Sequence, residues 1–403
     1  MFLIVVNIVN KNQFSYNNYR FVHMVSEIRN SPECEDSLRL SFLWINKERP
    51  MHYTKPSYYD KFRCTAGDCP DTCCQGWQII IDDKAIEKYK ADPVLWNYVK
   101  DSIDWQASEE GPTYKLKDKK CMHLTSDGLC EMQVKYGFDS LCQVCQKFPR
   151  HVEEFDGERE LSIDLSCPEG ARMVLEDTDG SFISYDDDLE ENEDYEDFDY
   201  FLYTELYDAR EKLFSMISGE RNIQKMMQAM LSLGRIWQDC LDHDRVYEIN
   251  EDHALTEDKS LFSWQEEKRL FSKLYDLELL RPEWIETVDR TYKTIFASEE
   301  NYRKACLELE KYDSFVRRVL RYMIYVYFDG AVYDDKIYAK LAFSVYCVRW
   351  TFFVFFSDQG NGSDFLSAQE KEPDMEALIH AVYIFSREVE HSDLNISILE
   401  DWL

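Results

Sequence analysis

Residues 62–82 read "FRCTAGDCPDTCCQGWQIIID", a run in which four cysteines fall within eleven positions and an apolar segment follows at once. Gly67, Asp68, Pro70 and Asp71 are turn formers, so these thiols sit on a tight loop rather than on a regular element. Nine of the 13 cysteines lie in this part of the chain: Cys64, Cys69, Cys73, Cys74, Cys121, Cys130, Cys142, Cys145 and Cys167. The later ones come in "CMHLTSDGLCEMQVKYGFDSLCQVCQKFPR", residues 121–150, and in "LSCPEGAR", residues 165–172. In the former, "SDG" turns the chain before Cys130, and Cys142 and Cys145 form a CxxC pair. In the latter, a proline directly follows Cys167.

Three readings compete for so many thiols. A disulfide framework needs an oxidising compartment, and the opening "MFLIVVNIVNKNQF" lacks both a basic stretch before its apolar run and a small-residue cleavage site. Adjacent Cys73 and Cys74 do not pair easily with each other, because neighbouring Cα atoms are about 3.8 Å apart and a disulfide wants ~5.5 Å. Structural thiols with no shared role would not be spaced as Cys-Cys, CxxxC and CxxC neighbours. Metal ligation therefore leads, since thiolates at short spacings converge on a soft metal without long loop closure. The spacings match neither a zinc ribbon nor a bacterial ferredoxin run. An iron-sulfur cluster, 4Fe-4S with four of the nine cysteines, is favoured over zinc.

The chain has 403 residues, more than one core usually holds. Its formal charge of −32 speaks against nucleic acid and against an anionic membrane surface as partners. No run of eighteen uncharged apolar residues exists. The nearest, "LAFSVYCVRWTFFVFF" at residues 341–356, contains Arg349 and reads as a buried core helix. Residues 1–50 show no coherent period and read as an extension, either a poorly ordered arm or a stretch upstream of a true start at Met51. Residues 186–199, "DDDLEENEDYEDFD", carry ten acidic side chains among fourteen and read as a solvated junction. Beyond it, Ile223, Met226, Met227, Met230, Leu233, Trp237 and Cys240, then Phe315, Val319, Tyr322, Met323 and Val326, recur at helical intervals and predict buried faces. Cys240, Cys306 and Cys347 fall in such patterns as small buried hydrophobes.

The expected fold is mainly α: a cysteine-rich metal-binding region of loops and short strands, residues 51–180, packed on a C-terminal helical domain, residues 201–403, with an acidic linker over 181–200. Trp77, Ile79 and Ile81 predict a short strand or extended segment docking on the helices. Pro282 and the "GNG" loop at residues 360–362 punctuate the bundle.

Taken in order, the run at 62–82, "CMHLTSDGLC", "LCQVCQKFPR", "LSCPEGAR" and the late "FSREVEHSDLN" resemble the flagellin lysine N-methylase (FliB-like) family over residues 51–403. The cysteine half is also similar to zinc- or iron-chelating cysteine-rich proteins. The resemblance implies methyl transfer from S-adenosylmethionine to lysine side chains of flagellin, in the cytoplasm before export. The chain lacks the glycine-rich loop of Rossmann methyltransferases and the CxxxCxxC of radical S-adenosylmethionine enzymes. A donor pocket would be of another kind.

The segment "SREVEHSDLN" is dense in charge. At a helical period Arg387, Glu390 and His391 share one face and Glu388 points away from it. This is either an exposed salt-bridged face or, as the resemblance implies, part of an active site. A lysine amine must lose its proton before it attacks a methyl group. Glu388 or Glu390 would then hold a cation, with His391 relaying a proton near neutral pH. A second function class stays open: a non-catalytic metal chelator or electron carrier.

Overall fold

The computed structural model describes residues 50–108, 111–187, 198–220, 222–255, 261–359 and 374–403. The N-terminal extension, the "GNG" loop and most of the acidic run lie outside these residues.

The late apolar run forms the core helix Ile337–Asp358, buried along nearly its whole length. It is long and apolar enough to cross a membrane, yet 89% of its most apolar stretch is covered by the rest of the fold. The helices Ile223–Asp242, Trp284–Thr294, Asp313–Tyr327 and Met375–Val389 pack around it. Each brings an apolar face at helical spacing: Met226, Met227, Met230 and Trp237 are wholly buried, as are Val319 and Met323, whereas Leu233 only borders the core. Cys240, Cys306 and Cys347 are buried among them. At the crossing of Ile223–Asp242 with the core helix, a Cβ on Gly234 would stand 2.9 Å from Leu341 Cδ2, so only glycine admits this approach without displacement.

Arg349, the one charge in the apolar run, is not a defect of this core. It lies 2.7 Å from Glu267, also fully buried, with the Tyr302 hydroxyl 3.1 Å away, and its guanidinium sits 3.9 Å from the centre of the Phe262 ring. A buried charge persists only when paired and hydrogen-bonded in this way.

A four-stranded sheet flanks the helices. Its strands are β1 (Met51–Pro56), β6 (Arg150–Phe155), β7 (Glu158–Ile163) and β8 (Phe182–Asp187), in the order β6-β7-β1-β8. β1 runs parallel to β7, with Thr54 opposite Glu160, and antiparallel to β8, with Thr54 opposite Ser184. A parallel pair needs a crossover, and here the crossover is the cysteine region itself. It carries β2 (Ile103–Ser108) paired with β3 (Gly111–Tyr114), and β4 (Leu116–Lys117) paired with β5 (Lys120–Cys121), besides short helices at Asp83–Ala91, Pro93–Val99, Glu131–Tyr136 and Gln143–Lys147.

Two features refine the expected organisation. First, the apolar side chains of residues 51–180 divide between two cores. β6, β7 and the Pro168–Glu176 helix bury apolar side chains in the core of the helical body, and Tyr53 of β1 packs against it. Only a satellite, with its own core from Cys74 to Cys142, stands apart, and Ile79 and Ile81 belong to that core rather than docking on the helices. Second, the acidic stretch begins as structure: Asp186 and Asp187 close β8, paired with His52 and Met51, because an edge strand tolerates charge on its open side.

The buried Arg349–Glu267 pair gives a direct test. Arg349→Met alone should destabilise the protein by about 3–5 kcal/mol in denaturant unfolding, because it strands Glu267. Adding Glu267→Leu should recover most of that loss, which an electrostatically neutral role for the pair would not produce.

Candidate functional site

Six of the nine thiols gather in the satellite. The Cys121 amide donates to the Cys74 carbonyl at 2.9 Å, laying the two residues side by side. Cys74, Cys121 and Cys142 share one small core, with Cys130 and Cys145 packed against it. Cys130 and Cys142 each stand immediately before a helix, Glu131–Tyr136 and Gln143–Lys147. Within the group the protons are unevenly held. A hydrogen bond from Cys74 pulls Cys130 down to about 6, against burial and with help from the Met132 and Gln133 amides. Cys73 is lowered by the same neighbour and Cys142 by Cys145, whereas Cys74 and Cys145 are raised because they keep the shared protons. Burial pushes Cys121 up to about 11.

Cys64, Cys69 and Cys167 stand elsewhere. Cys167 precedes the Pro168–Glu176 helix in the main core, with Cys69 and Asp164 in its field, and Cys69 in turn feels Cys64 and Arg387. All twelve described cysteines are free thiols. Among the described residues no three His, Cys, Asp or Glu side chains are arranged to hold a metal ion. The satellite thus collects soft donors, two of them on helix N-termini, without setting them in coordination geometry. Its donor chemistry suits a thiophilic metal or cluster.

One carboxylate joins this loop to the helical body. Asp71, between Cys69 and Cys73, accepts from Arg281 Nη1 at 2.7 Å and Nη2 at 3.0 Å, and lies 2.6 Å from Arg387 Nη1. Arg387 is itself fully buried and donates through Nε to the Ser166 carbonyl at 2.6 Å. Burial works to raise Asp71, but the Arg281 hydrogen bonds and the charges of both arginines outweigh it and hold the carboxyl below its usual range. Glu388 braces the same junction: its Oε2 accepts the Leu280 amide at 3.0 Å, and burial pushes its carboxyl up to about 7.

Beside this junction a cluster of charged side chains and aromatic rings comes partly to the surface. The Met375–Val389 helix ends before Glu390 and His391, whose amides both reach back to the Ser386 carbonyl. His391 Nδ1 stands 3.5 Å from Asp164 Oδ2, and about a quarter of each side chain stays open to solvent, 23% and 25%. The Trp77 ring lies 3.9 Å from the His391 ring, centre to centre, and Phe148 6.0 Å. Glu390 Oε2 accepts from the Tyr327 hydroxyl at 3.1 Å. Burial pushes Glu390 up to about 8, and the charge of Asp164 adds to this. Asp164 goes the other way: burial raises it, but hydrogen bonding and charge from His391, with the Ser166 amide, hold it below the usual carboxylate range. The cluster therefore sets one carboxyl held below its usual range beside one pushed above it, next to aromatic rings.

Gly170 keeps Asp164 in place. A Cβ there would sit 2.4 Å from the Asp164 carbonyl oxygen, so the Pro168–Glu176 helix can approach this turn only with glycine.

Of the charged residues expected from "SREVEHSDLN", Glu390 and His391 meet in the cluster, and Arg387 reaches the cysteine loop. Glu388 does point away, as its period predicts, but into the protein. Arg387 and His391 both lie against the Trp77 ring, at 5.6 and 3.9 Å from its centre, and Glu390 between them keeps helical backbone angles. The segment is not an exposed salt-bridged face, since Arg387 and Glu388 are only 1% and 2% exposed. Sequence reasoning missed Asp164, Asp71, Arg281 and Tyr327. For Asp164 a signal existed, its place directly before "LSCPEGAR".

Comparison with known proteins adds an independent line. Two lysine-N-methylases, from Salmonella typhimurium and Salmonella choleraesuis, are each 27% identical over 169 residues, covering 40% of this chain. The chain covers 40% of the length of each of them. The flagellar biosynthetic protein FliU of Salmonella muenchen is 30% identical over 132 residues, 31% of this chain and 78% of that protein. No protein-family model matches the chain, and no solved structure is significantly similar to it.

The clamp on Asp71 predicts a local failure. Asp71→Ala leaves Arg387 and Arg281 facing each other without a counter-charge, at a cost on the order of 3 kcal/mol. Limited proteolysis should then cut faster within residues 64–76 while the far-ultraviolet helical signal persists. Unchanged protease resistance and unchanged unfolding would show that the clamp does not hold the loop.

Proposed function

The chain belongs to the FliB-like family of FliU and the lysine-N-methylases, and on that premise we propose that it N-methylates lysine side chains of flagellin in the cytoplasm. The observation that carries the reading is the partly exposed cluster of Asp164, Glu390 and His391 beside Trp77, Phe148 and Tyr327. A lysine side chain needs an apolar passage for its stem, a negative charge for its head and a group that removes a proton. Each is present. The rings receive the methylene chain and attract the ammonium through their faces. Ionised Asp164 holds the ammonium in line with its own partner, His391. Glu390, once ionised, takes the lysine proton, and solvent-accessible His391 passes it on.

S-adenosylmethionine, as the donor, supplies an electrophilic methyl group on a positively charged sulfur. The satellite thiols, with Cys73, Cys130 and Cys142 most ready to lose protons, are the ones that would hold a metal centre, iron-sulfur before zinc. Cys64, Cys69 and Cys167 would complete or supplement that set. The gathering of six thiols also favours a second reading, a non-catalytic metal-chelating or electron-transfer protein, in which the cluster has no substrate.

Incubation of the purified protein with flagellin and methyl-labelled S-adenosylmethionine separates the two, and label on lysine is expected. The rate should climb as the pH passes through about 8, the value at which Glu390 becomes ionised. Glu390→Gln should remove that rise and slow transfer by roughly 10²–10⁴-fold. Wild-type rates in both Glu390→Gln and Asp164→Asn would sink the assignment of the cluster.

Anaerobic purification followed by iron, sulfide and zinc analysis tests the metal centre. Iron and sulfide together are expected, and stoichiometric zinc without sulfide would rule the cluster out. Cys130→Ser and Cys142→Ser should each lose metal and loosen the satellite while the helical body keeps its far-ultraviolet signal.

A further inference from the structure

Away from the cluster, three acidic side chains meet one arginine inside the protein. Arg210 of the Tyr200–Gly219 helix donates through Nη2 to Glu160 Oε1 at 2.5 Å and through Nη1 to Glu160 Oε2 at 2.7 Å. Its Nη1 also lies 3.0 Å from Asp329 Oδ2 and donates to the Tyr325 carbonyl at 3.4 Å. Arg210, Glu160 and Asp329 are all buried, Asp329 with 1% of its surface exposed. Glu158, two residues before Glu160 on β7, accepts from the Tyr203 hydroxyl at 3.0 Å, and its charge acts on Asp329.

The charges do not balance. One guanidinium faces three carboxyl groups, and the nearby cations are engaged elsewhere. His52 of β1 acts on Glu158 but is paired with Asp186, and Lys340 of the core helix, beside Gly330, is held by Asp334 and Glu400. Glu211 and the hydroxyls of Tyr203, Tyr207 and Tyr325, the other titratable groups around the arginine, supply no positive charge. Glu160 spends both oxygens on Arg210, whereas neither oxygen of Asp329 receives a hydrogen bond, although both are sealed from water. A carboxyl so placed is stable only if it keeps its proton. Burial accordingly pushes Asp329 up to about 8; Arg210 opposes this, and the charges of Glu160 and Glu158 add to it.

This group joins two elements that end at the cluster of Asp164, Glu390 and His391. Glu160 is on β7, and Asp164 follows that strand directly. Asp329 comes two residues after Tyr327, the last residue of the Asp313–Tyr327 helix, whose hydroxyl donates to Glu390. We propose that Arg210, Glu160 and Asp329 form a pH-sensitive latch: with a proton on Asp329 it holds β7 against the end of the Asp313–Tyr327 helix, and loss of that proton in alkali loosens both. Its bearing on methyl transfer rests on the reading above. An ionised Asp329 sets a second negative charge on one arginine in a medium that screens it poorly, a conflict that entry of water or separation of the two elements relieves. The unfolded chain releases this proton near the ordinary aspartate value of about 4, whereas the folded chain keeps it to about 8. Asp329 therefore lowers stability progressively as the pH climbs through that window, and fully above it.

Denaturant unfolding from about pH 5 to about pH 9 tests the latch without any assay of activity. The unfolding constant of the wild type relative to that of Asp329→Asn, which keeps the shape and cannot ionise, should rise at least tenfold over this range. Glu160→Gln, which frees Arg210 for Asp329, should flatten the wild-type slope, and it decides alone if Asp329→Asn does not fold. Amide hydrogen exchange in residues 158–163 and 328–330, corrected for the intrinsic effect of pH, should quicken in alkali in the wild type and not in Asp329→Asn. PH-independent ratios of wild type to both variants would overturn the latch. These slopes in a wild type that labels no lysine would leave the latch standing and remove only the methylase reading.

Discussion

The structure turns on Asp71. This one carboxylate belongs to the cysteine loop, and it is gripped by two arginines from separate parts of the helical body, Arg281 at the turn before Trp284–Thr294 and Arg387 near the end of Met375–Val389. Each contact depends on the others. Arg387 is buried and needs a negative partner, Asp71 is part-buried and needs positive ones, and Glu388 holds the turn from which Arg281 reaches across. The loop that carries Cys69, Cys73 and Cys74 is thereby fixed against the same helix end that offers Glu390 and His391.

The fold explains why thiols and cluster are neighbours. The satellite is an insertion between two strands of one sheet, β1 and β6, so its entrance and exit are both tied to the helical body. Trp77 leaves the satellite to lie on His391, and Phe148, just before β6, closes on the same ring. Asp164 follows directly on β7. The cluster is therefore built where the insertion returns, from residues distant in sequence that the sheet brings to one edge.

Periodicity made the helical core readable in advance: the stripes through Met226, Met230 and Trp237 and the long apolar run at Leu341 are buried as their spacing requires. The cysteine spacing likewise marked the satellite. What could not be read was the partner of each charge. Arg349 spoke only against a membrane span until Glu267, 82 positions away, met it in the core. Glu388 and Arg387 look like surface residues because local charge density cannot tell solvent from a buried counter-ion. The sheet was hidden for a similar reason, since strands β1, β7 and β8 pair over long separations that no local pattern reveals.

The parallel pairing of β1 with β7 bears on how the chain is made. Thr54 waits for Glu160, about a hundred residues later, before its strand can close, so the sheet is a late event on the ribosome. The satellite between them is complete by then. It has its own small core, all of whose residues leave the ribosome before Glu160 does. Synthesis thus leaves an interval in which these thiols are made and still accessible, before Arg281 and Arg387 exist to cover Asp71.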